Sequence, residues 1–186
     1  MYRAGRVAAI EDLGLLPGDR VLDLGCGTGL SFPLLRDAVG PHGAVVGVEA
    51  SDVMLAQARK RIRRHGWTNV RALRGDVAHL PAPAMDDGPF DAVLAVYVLS
   101  IVTAWPRAWY EVLAAVRPGG RVGVVDLALP AGRWAWTAPA AWLACRVAGS
   151  DPQRQPWRPL EATASRVKRR VLRGGHVRVV TGVVPG

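Results

Sequence analysis

Val21-Leu-Asp-Leu-Gly-Cys-Gly-Thr-Gly29 decides how this chain is read. Residues 20–24 are apolar enough for a buried strand, with Asp23 near its end. Gly25, Gly27 and Gly29 alternate through the turn that follows. Glycines in such a turn let the backbone approach a ligand that a Cβ would hold off. Residues 30–39 then read as a helix, and its free N–H groups point back at the same turn.

The alternation continues outward from that loop. Residues 44–48 predict a second strand, and Ser51 or Asp52 caps a helix carrying Met54, Leu55, Ala58 and Ile62 on one face up to Gly66. Residues 70–74, 91–96 and 121–126 predict the third, fourth and fifth strands. A short helix over 4–14 precedes the first strand, and a helix over 105–116 stops at Arg117-Pro-Gly-Gly120. Apolar strands alternating with helices need cover on both faces, which implies a Rossmann-like, mostly parallel α/β sheet. Residues 167–172 and 177–183 flank Arg173-Gly-Gly175 as a hairpin, so an antiparallel last strand closes the sheet. Residues 130–160 form one irregular insertion, which holds four of the seven tryptophans.

Length and composition narrow the function. At 186 residues the chain suits one domain over 1–186. Half of it is hydrophobic and 21% charged, which excludes a disordered tail. No apolar run reaches the roughly 18 residues of a membrane span. The N-terminus has charges inside its apolar stretch and does not read as a secretory signal. Cys26 and Cys145 are too few for a disulfide framework or a cysteine-built metal site, so a reducing, cytoplasmic setting and no metal are expected. Of the net charge of +9, +6 falls on residues 151–186. A basic end suits an anionic partner; 22 of the 24 cations being Arg, beside abundant Ala, Gly and Pro, also fits a GC-rich coding bias.

The chemistry follows from where the carboxylates fall. Glu49 ends the second strand, 20 residues past Gly29, where an acidic side chain accepts both hydroxyls of a ribose. A dinucleotide site uses G-x-G-x-x-G and rests a pyrophosphate on the helix N-terminus. Here the spacing is G-x-G-x-G, with Asp23 two residues before it. A carboxylate there repels a pyrophosphate and suits an α-ammonium group. S-adenosylmethionine carries that ammonium, a sulfonium and a ribose, and no phosphate. After the third strand, Asp76 is placed to bond an adenine amine, with the Val77 backbone beside it.

With Gly75-Asp76, Phe90-Asp91 and Arg117-Pro-Gly-Gly120 in order behind the loop, residues 16–126 resemble the class I S-adenosylmethionine-dependent methyltransferases. The resemblance implies a seven-stranded sheet with its last strand antiparallel, flanked by helices. It implies that Asp23, Gly25, Gly27 and Gly29 line the methionine part, and Cys26 between them is counted among the cofactor-binding residues, its thiol read as buried and inert. Glu49 then holds the ribose, Ala50 and Met54 border the adenine, and Asp76 and Val77 read its edge. At the subgroup level, Tyr97-Val-Leu-Ser100 and the late Gly174-Gly-His-Val177 resemble ubiquinone/menaquinone-type and phospholipid N-methyltransferases.

Methyl transfer is an in-line displacement from a carbon already activated by sulfur, so positioning supplies much of the catalysis. A base is needed only if the acceptor must lose a proton. Tyr97 and Ser100 are the polar groups best placed beyond the fourth strand, and Tyr97 is the candidate catalytic residue. No histidine has an acid paired with it nearby in sequence, and no general base is assigned. The Asn/Asp-Pro-Pro-aromatic run of base-directed amine methyltransferases is replaced here by Ala95-Val-Tyr-Val-Leu99. Nucleic acid is therefore the less favoured substrate. A small-molecule or lipid-like acceptor is expected, under a Trp-rich cap at 130–160 with peripheral membrane contact. An RNA methyltransferase and a non-catalytic nucleotide-binding protein stay open as alternatives.

Overall fold

The structure is a computed structural model that describes residues 3–186 apart from Ala131, Ala148 and Pro152. Met1 and Tyr2 of the N-terminal stretch and those three residues of the Trp-rich segment lie outside the described residues. Seven strands, β1 (Arg20–Leu24), β2 (Ala44–Glu49), β3 (Val70–Arg74), β4 (Phe90–Val96), β5 (Val116–Leu127), β6 (Ser165–Leu172) and β7 (Val177–Val183), form one sheet. Their order is β3-β2-β1-β4-β5-β7-β6. The first five run parallel, and β7 is antiparallel to both β5 and β6. The final strand is therefore inserted beside β5, and β6 becomes the edge.

Period-two alternation splits the core between the two faces. Leu22, Val46, Val93 and Val122 join one cluster, covered by α4 (Trp105–Ala115) through Ala108 and Val112 and by α6 (Arg158–Thr163) through Leu160. Val21, Val45, Ala92 and Val125 join the other. It is covered by α1 (Arg3–Leu13), α2 (Phe32–Val39) and α3 (Asp52–His65) through Ala9, Leu13, Phe32, Leu35, Leu55 and Ala58. Strand side chains buried on both sides are the reason these strands read as continuous apolar runs.

Ser51 caps α3, its hydroxyl accepting the Met54 N–H at 3.4 Å, and Gly66 ends that helix in a left-handed conformation. On α3 only Leu55 and Ala58 are fully buried; Met54 lies outside that stripe, about half exposed. Two expectations change. Arg117-Pro-Gly-Gly120 does not precede the fifth strand but lies inside it: Phe90 pairs with Val116 and Ala92 with Arg121, so the extra residues bulge opposite Asp91. The Arg117 guanidinium clamps that bulge by donating to Asp91 Oδ1 at 2.7 Å. The segment expected to be irregular is largely helical, with a 3-10 turn at Gly132–Thr137, α5 (Ala138–Val147) and α6. Pro139 and Pro159 sit in the first turns of α5 and α6, where proline is tolerated. Among the described residues, no helix is long and apolar enough to cross a membrane.

Candidate functional site

The connections leaving β1 and β4 diverge to opposite sides, which opens a crevice beyond their C-terminal ends. A cavity of about 560 Å3 sits there. Gly25, Cys26, Gly27, Glu49, Ala50, Met54, Asp76 and Val77 form one side of it, and Val96, Tyr97, Val98, Ile101 and Val102 the other. Arg6, Thr28, Leu30 and Ser51 complete the wall. Among the residues picked out by sequence, Asp23, Gly29 and Ser100 do not line the cavity.

The loop owes its shape to three glycines with positive φ, Gly25, Gly27 and Gly29. Gly25, at φ 65°, presses against β4's continuation so closely that a Cβ there would lie 2.4 Å from Val98 Cγ2. Gly27, at φ 56°, faces open space, where an added Cβ would meet nothing closer than Met54 Sδ at 3.9 Å. Gly29, at φ 73°, also serves packing, because a Cβ there would meet the Phe32 ring at 2.6 Å.

Glu49 is held by main chain from two sides. Its Oε2 accepts the Gly27 N–H at 2.9 Å and its Oε1 the Ser51 N–H at 2.8 Å. A carboxylate offers about four acceptor positions, so two remain for a ligand. Asp76 is exposed, with Oδ1 accepting the Ala78 N–H at 2.8 Å and Oδ2 lying 3.9 Å from His79 Nδ1. The Asp76–His79 pair is three residues apart, a near-sequence acid–histidine pairing that the sequence reading did not find.

Asp23 lies behind the cavity wall, 1% exposed. Alternation along β1 turns it to the face of α1 and α2, toward Arg6 and Ser31. Arg6 Nε donates to Ser31 Oγ at 3.0 Å, and Asp23 Oδ2 is buried without a hydrogen-bond partner. Burial pushes the Asp23 carboxyl up to about 7, against the pull of Arg6 and the Ser31 hydroxyl. Arg6 was missed by sequence reasoning, since nothing local ties an N-terminal helix to the loop. The Cys26 thiol is pushed up by burial and by Asp23 and Glu49, leaving it protonated and inert.

Tyr97 continues β4 in a left-handed conformation, φ 56°, rare for an aromatic residue. Its N–H donates to the Val125 carbonyl at 2.7 Å. Its hydroxyl packs over Gly5 of α1, where a Cβ would come within 2.6 Å of the oxygen. Tyr97 thus reaches from the cavity wall to the N-terminal helix.

Beyond β5 a second carboxylate is buried. Asp126, 1% exposed, accepts the Ser100 N–H at 3.0 Å and the Ser100 hydroxyl at 2.6 Å. Ser150 Oγ bonds in turn to Ser100 Oγ at 2.8 Å. Burial pushes Asp126 up to about 6, opposed by these hydrogen bonds. The network ties the end of α5's segment to the loop after β4, and the Arg154 guanidinium adds a bond to the Val102 carbonyl. Trp134, Trp136 and Trp142 are exposed and do not line the cavity, whereas Trp157 is buried in the core.

The donor set fits S-adenosylmethionine: a glycine cradle that a Cβ would narrow, a fixed carboxylate for a diol, and an orphaned buried carboxylate oxygen near the loop. Residues 21–120 match the methyltransferase domain family. The chain is 39% identical over 110 residues to a phosphatidylethanolamine N-methyltransferase of Cereibacter sphaeroides, covering 59% of this chain and 51% of the relative. It is 35% identical over 131 residues to a ubiquinone/menaquinone biosynthesis C-methyltransferase of Ectopseudomonas mendocina, covering 70% and 50%. The chain thus spans about half the length of these curated relatives. A solved structure of a SAM-dependent methyltransferase from Aquifex aeolicus shares the fold, with TM-score 0.69, 20% identity and coverage of 96% and 89%. With these matches to the loop, the sheet and the carboxylates, the chain belongs to the methyltransferase domain family, within the class I S-adenosylmethionine-dependent methyltransferases.

Proposed function

We propose that the chain transfers a methyl group from S-adenosylmethionine to a small-molecule or lipid-like acceptor. The observation that carries this reading is Glu49, fixed by two N–H donors at the mouth of a glycine-built cavity whose opposite wall is apolar. Glu49 accepts the ribose hydroxyls. Asp76 takes the adenine amine, with Val77, Ala50 and Met54 bordering the ring. Arg6, the cation in the wall, is suited to the methionine carboxylate, and Gly25 and Gly27 to the ammonium side, with the Asp23 carboxyl acting from behind the wall.

The bound cofactor supplies a methyl carbon activated by its sulfonium. The chain supplies alignment and exclusion of water. Tyr97 stands where it touches the methionine part or the acceptor, and Val98, Ile101 and Val102 offer the acceptor an apolar wall. No base is assigned to this chemistry, which suits an amine attacking as its free base or an activated carbon. The Trp-rich segment, tied to the rim through Ser150 and Arg154, covers the acceptor from outside the cofactor cavity. Relatives named for a phospholipid amine and for quinone biosynthesis support a lipid-like acceptor. Exposed Trp136, Leu143 and Val147 beside Arg133 and Arg146 support peripheral contact with an anionic membrane.

Calorimetric titration tests the cofactor reading. S-adenosylhomocysteine should bind in the micromolar range, and Glu49→Ala should weaken it about a hundredfold through two lost charge-assisted bonds. Binding of NAD instead, or equal binding by the variant, overturns the reading.

A further inference from the structure

A second cavity, of about 320 Å3, lies further along the same edge of the sheet, between β7 and the segment that leads into α6. Arg178 of β7, Arg158 at the start of α6, and Gln153 and Gln155 bring donors to it. Trp157, buried in the core, also lines it. The one carboxylate in the lining, Glu161, is already engaged: its Oε1 accepts Arg169 Nε at 2.6 Å. Neither Arg158 nor Arg178 has an ion pair among the described residues.

Three further observations point the same way. Arg178 Nε is buried without a hydrogen-bond partner. Leaving a buried donor unmet costs about 1–3 kcal/mol, so such a group calls for an acceptor. Gln155 is held in a left-handed conformation at φ 46°, a strain that clusters at ligand sites. The segment bearing Gln153 and Gln155 also borders the cofactor cavity. Asp151 N–H donates to the Ser100 carbonyl at 3.1 Å, and Arg154 bonds to Val102, a cavity residue.

We propose that this cavity is an oxyanion subsite, in which the forked donors of Arg178 and Arg158 and the amides of Gln153 and Gln155 receive a phosphate group carried by the acceptor. Guanidinium groups match phosphate geometry with paired N–H donors. The assignment to the acceptor rests on the methyl-transfer reading; the anion site itself does not. It also gives a role to part of the basic C-terminal charge. On the neighbouring edge strand, Arg169 and Arg170 are spent on ion pairs with Glu161, Glu11 and Asp12.

The test is calorimetric titration of the full chain with inorganic phosphate at constant ionic strength. It compares wild type, Arg178→Gln, Arg158→Gln and Arg64→Gln, the last being an exposed cation on α3. Saturable binding is expected, weakened about tenfold or more by each of the first two substitutions and less than twofold by the third. S-adenosylhomocysteine affinity should stay within twofold throughout, which reports folding and separates this site from the cofactor cavity. Arg158→Gln, on an exposed position, keeps the test valid if Arg178→Gln does not fold. A second arm uses glycerophosphoethanolamine. Tighter binding than inorganic phosphate assigns the site to a lipid headgroup, and equal or weaker binding to a free phosphate compound. Absence of saturable phosphate binding, or binding equally strong in all three variants, overturns the subsite. Failure of S-adenosylhomocysteine to bind wild type, with phosphate binding intact, overturns the methyl-transfer reading alone.

Discussion

The two halves of the sheet's ligand-bearing edge each hold a carboxylate fed by N–H donors, and they use it oppositely. Over β1 and β2, Glu49 is oriented by Gly27 and Ser51 and still faces the cavity. Over β4 and β5, Asp126 is closed off by Ser100 and Leu127 and does not line the cavity. The first is a binding group that main chain holds ready. The second is a rivet that fastens the loop after β4 to the segment after α5. Conserving a cofactor needs a fixed backbone, whereas accommodating an acceptor needs exchangeable segments tied to a fixed point.

The sharpest way to break this comparison is Gly25→Ala. The new methyl would lie 2.4 Å from Val98 at φ 65°, so the loop must move. A loss of about 1–3 kcal/mol in stability and loss of measurable S-adenosylhomocysteine binding are expected, by denaturant unfolding and calorimetry. Normal binding would show that the loop's backbone is not what builds the site.

Titration separates the two halves next. Asp23, raised to about 7, and Asp126, raised to about 6, both favour the protonated form in the folded chain. Their contribution to stability is therefore complete below the ordinary carboxylate range and is lost as pH rises through about 6 and about 7. Thermal unfolding from pH 4.5 to 8 should show wild type losing stability relative to Asp23→Asn, with the gap widening up to about pH 7 and levelling above it. Parallel curves would mean that Asp23 is ionised throughout. The smallest effect belongs to Trp136→Ser, since Trp136 is 76% exposed. Stability should change by less than about 0.5 kcal/mol, while co-sedimentation with phosphatidylglycerol vesicles at low salt falls. Unchanged sedimentation would remove the membrane role.

The cofactor half was the legible half because its signals are local. A short apolar strand, three alternating glycines and a carboxylate 20 residues on are all visible without a third dimension. What escaped depends on distant residues meeting. Arg6 reaches the loop only because α1 lies on the sheet, and Asp126, Ser100 and Ser150 are scattered over 50 residues. The Arg117–Gly120 stretch has the composition of a helix stop and ends up as a strand bulge, because pairing with β4 outweighs local propensity. The helices at 138–147 and 158–163 were hidden by prolines that in fact mark their first turns.

The insertion of β7 beside β5 bears on the order in which the molecule can be made. A ribosome delivers α1 first and β7 last, yet α1 rests on β5 and β7 together. Until residues 177–183 have emerged, the outer edge of β5 has no partner and the first helix lacks half its bed. Arg6, carried by that helix, lines the cavity wall. The first helix and the seventh strand thus meet only after the chain between them has been made, and long-range closure of this kind is slow beside local contacts.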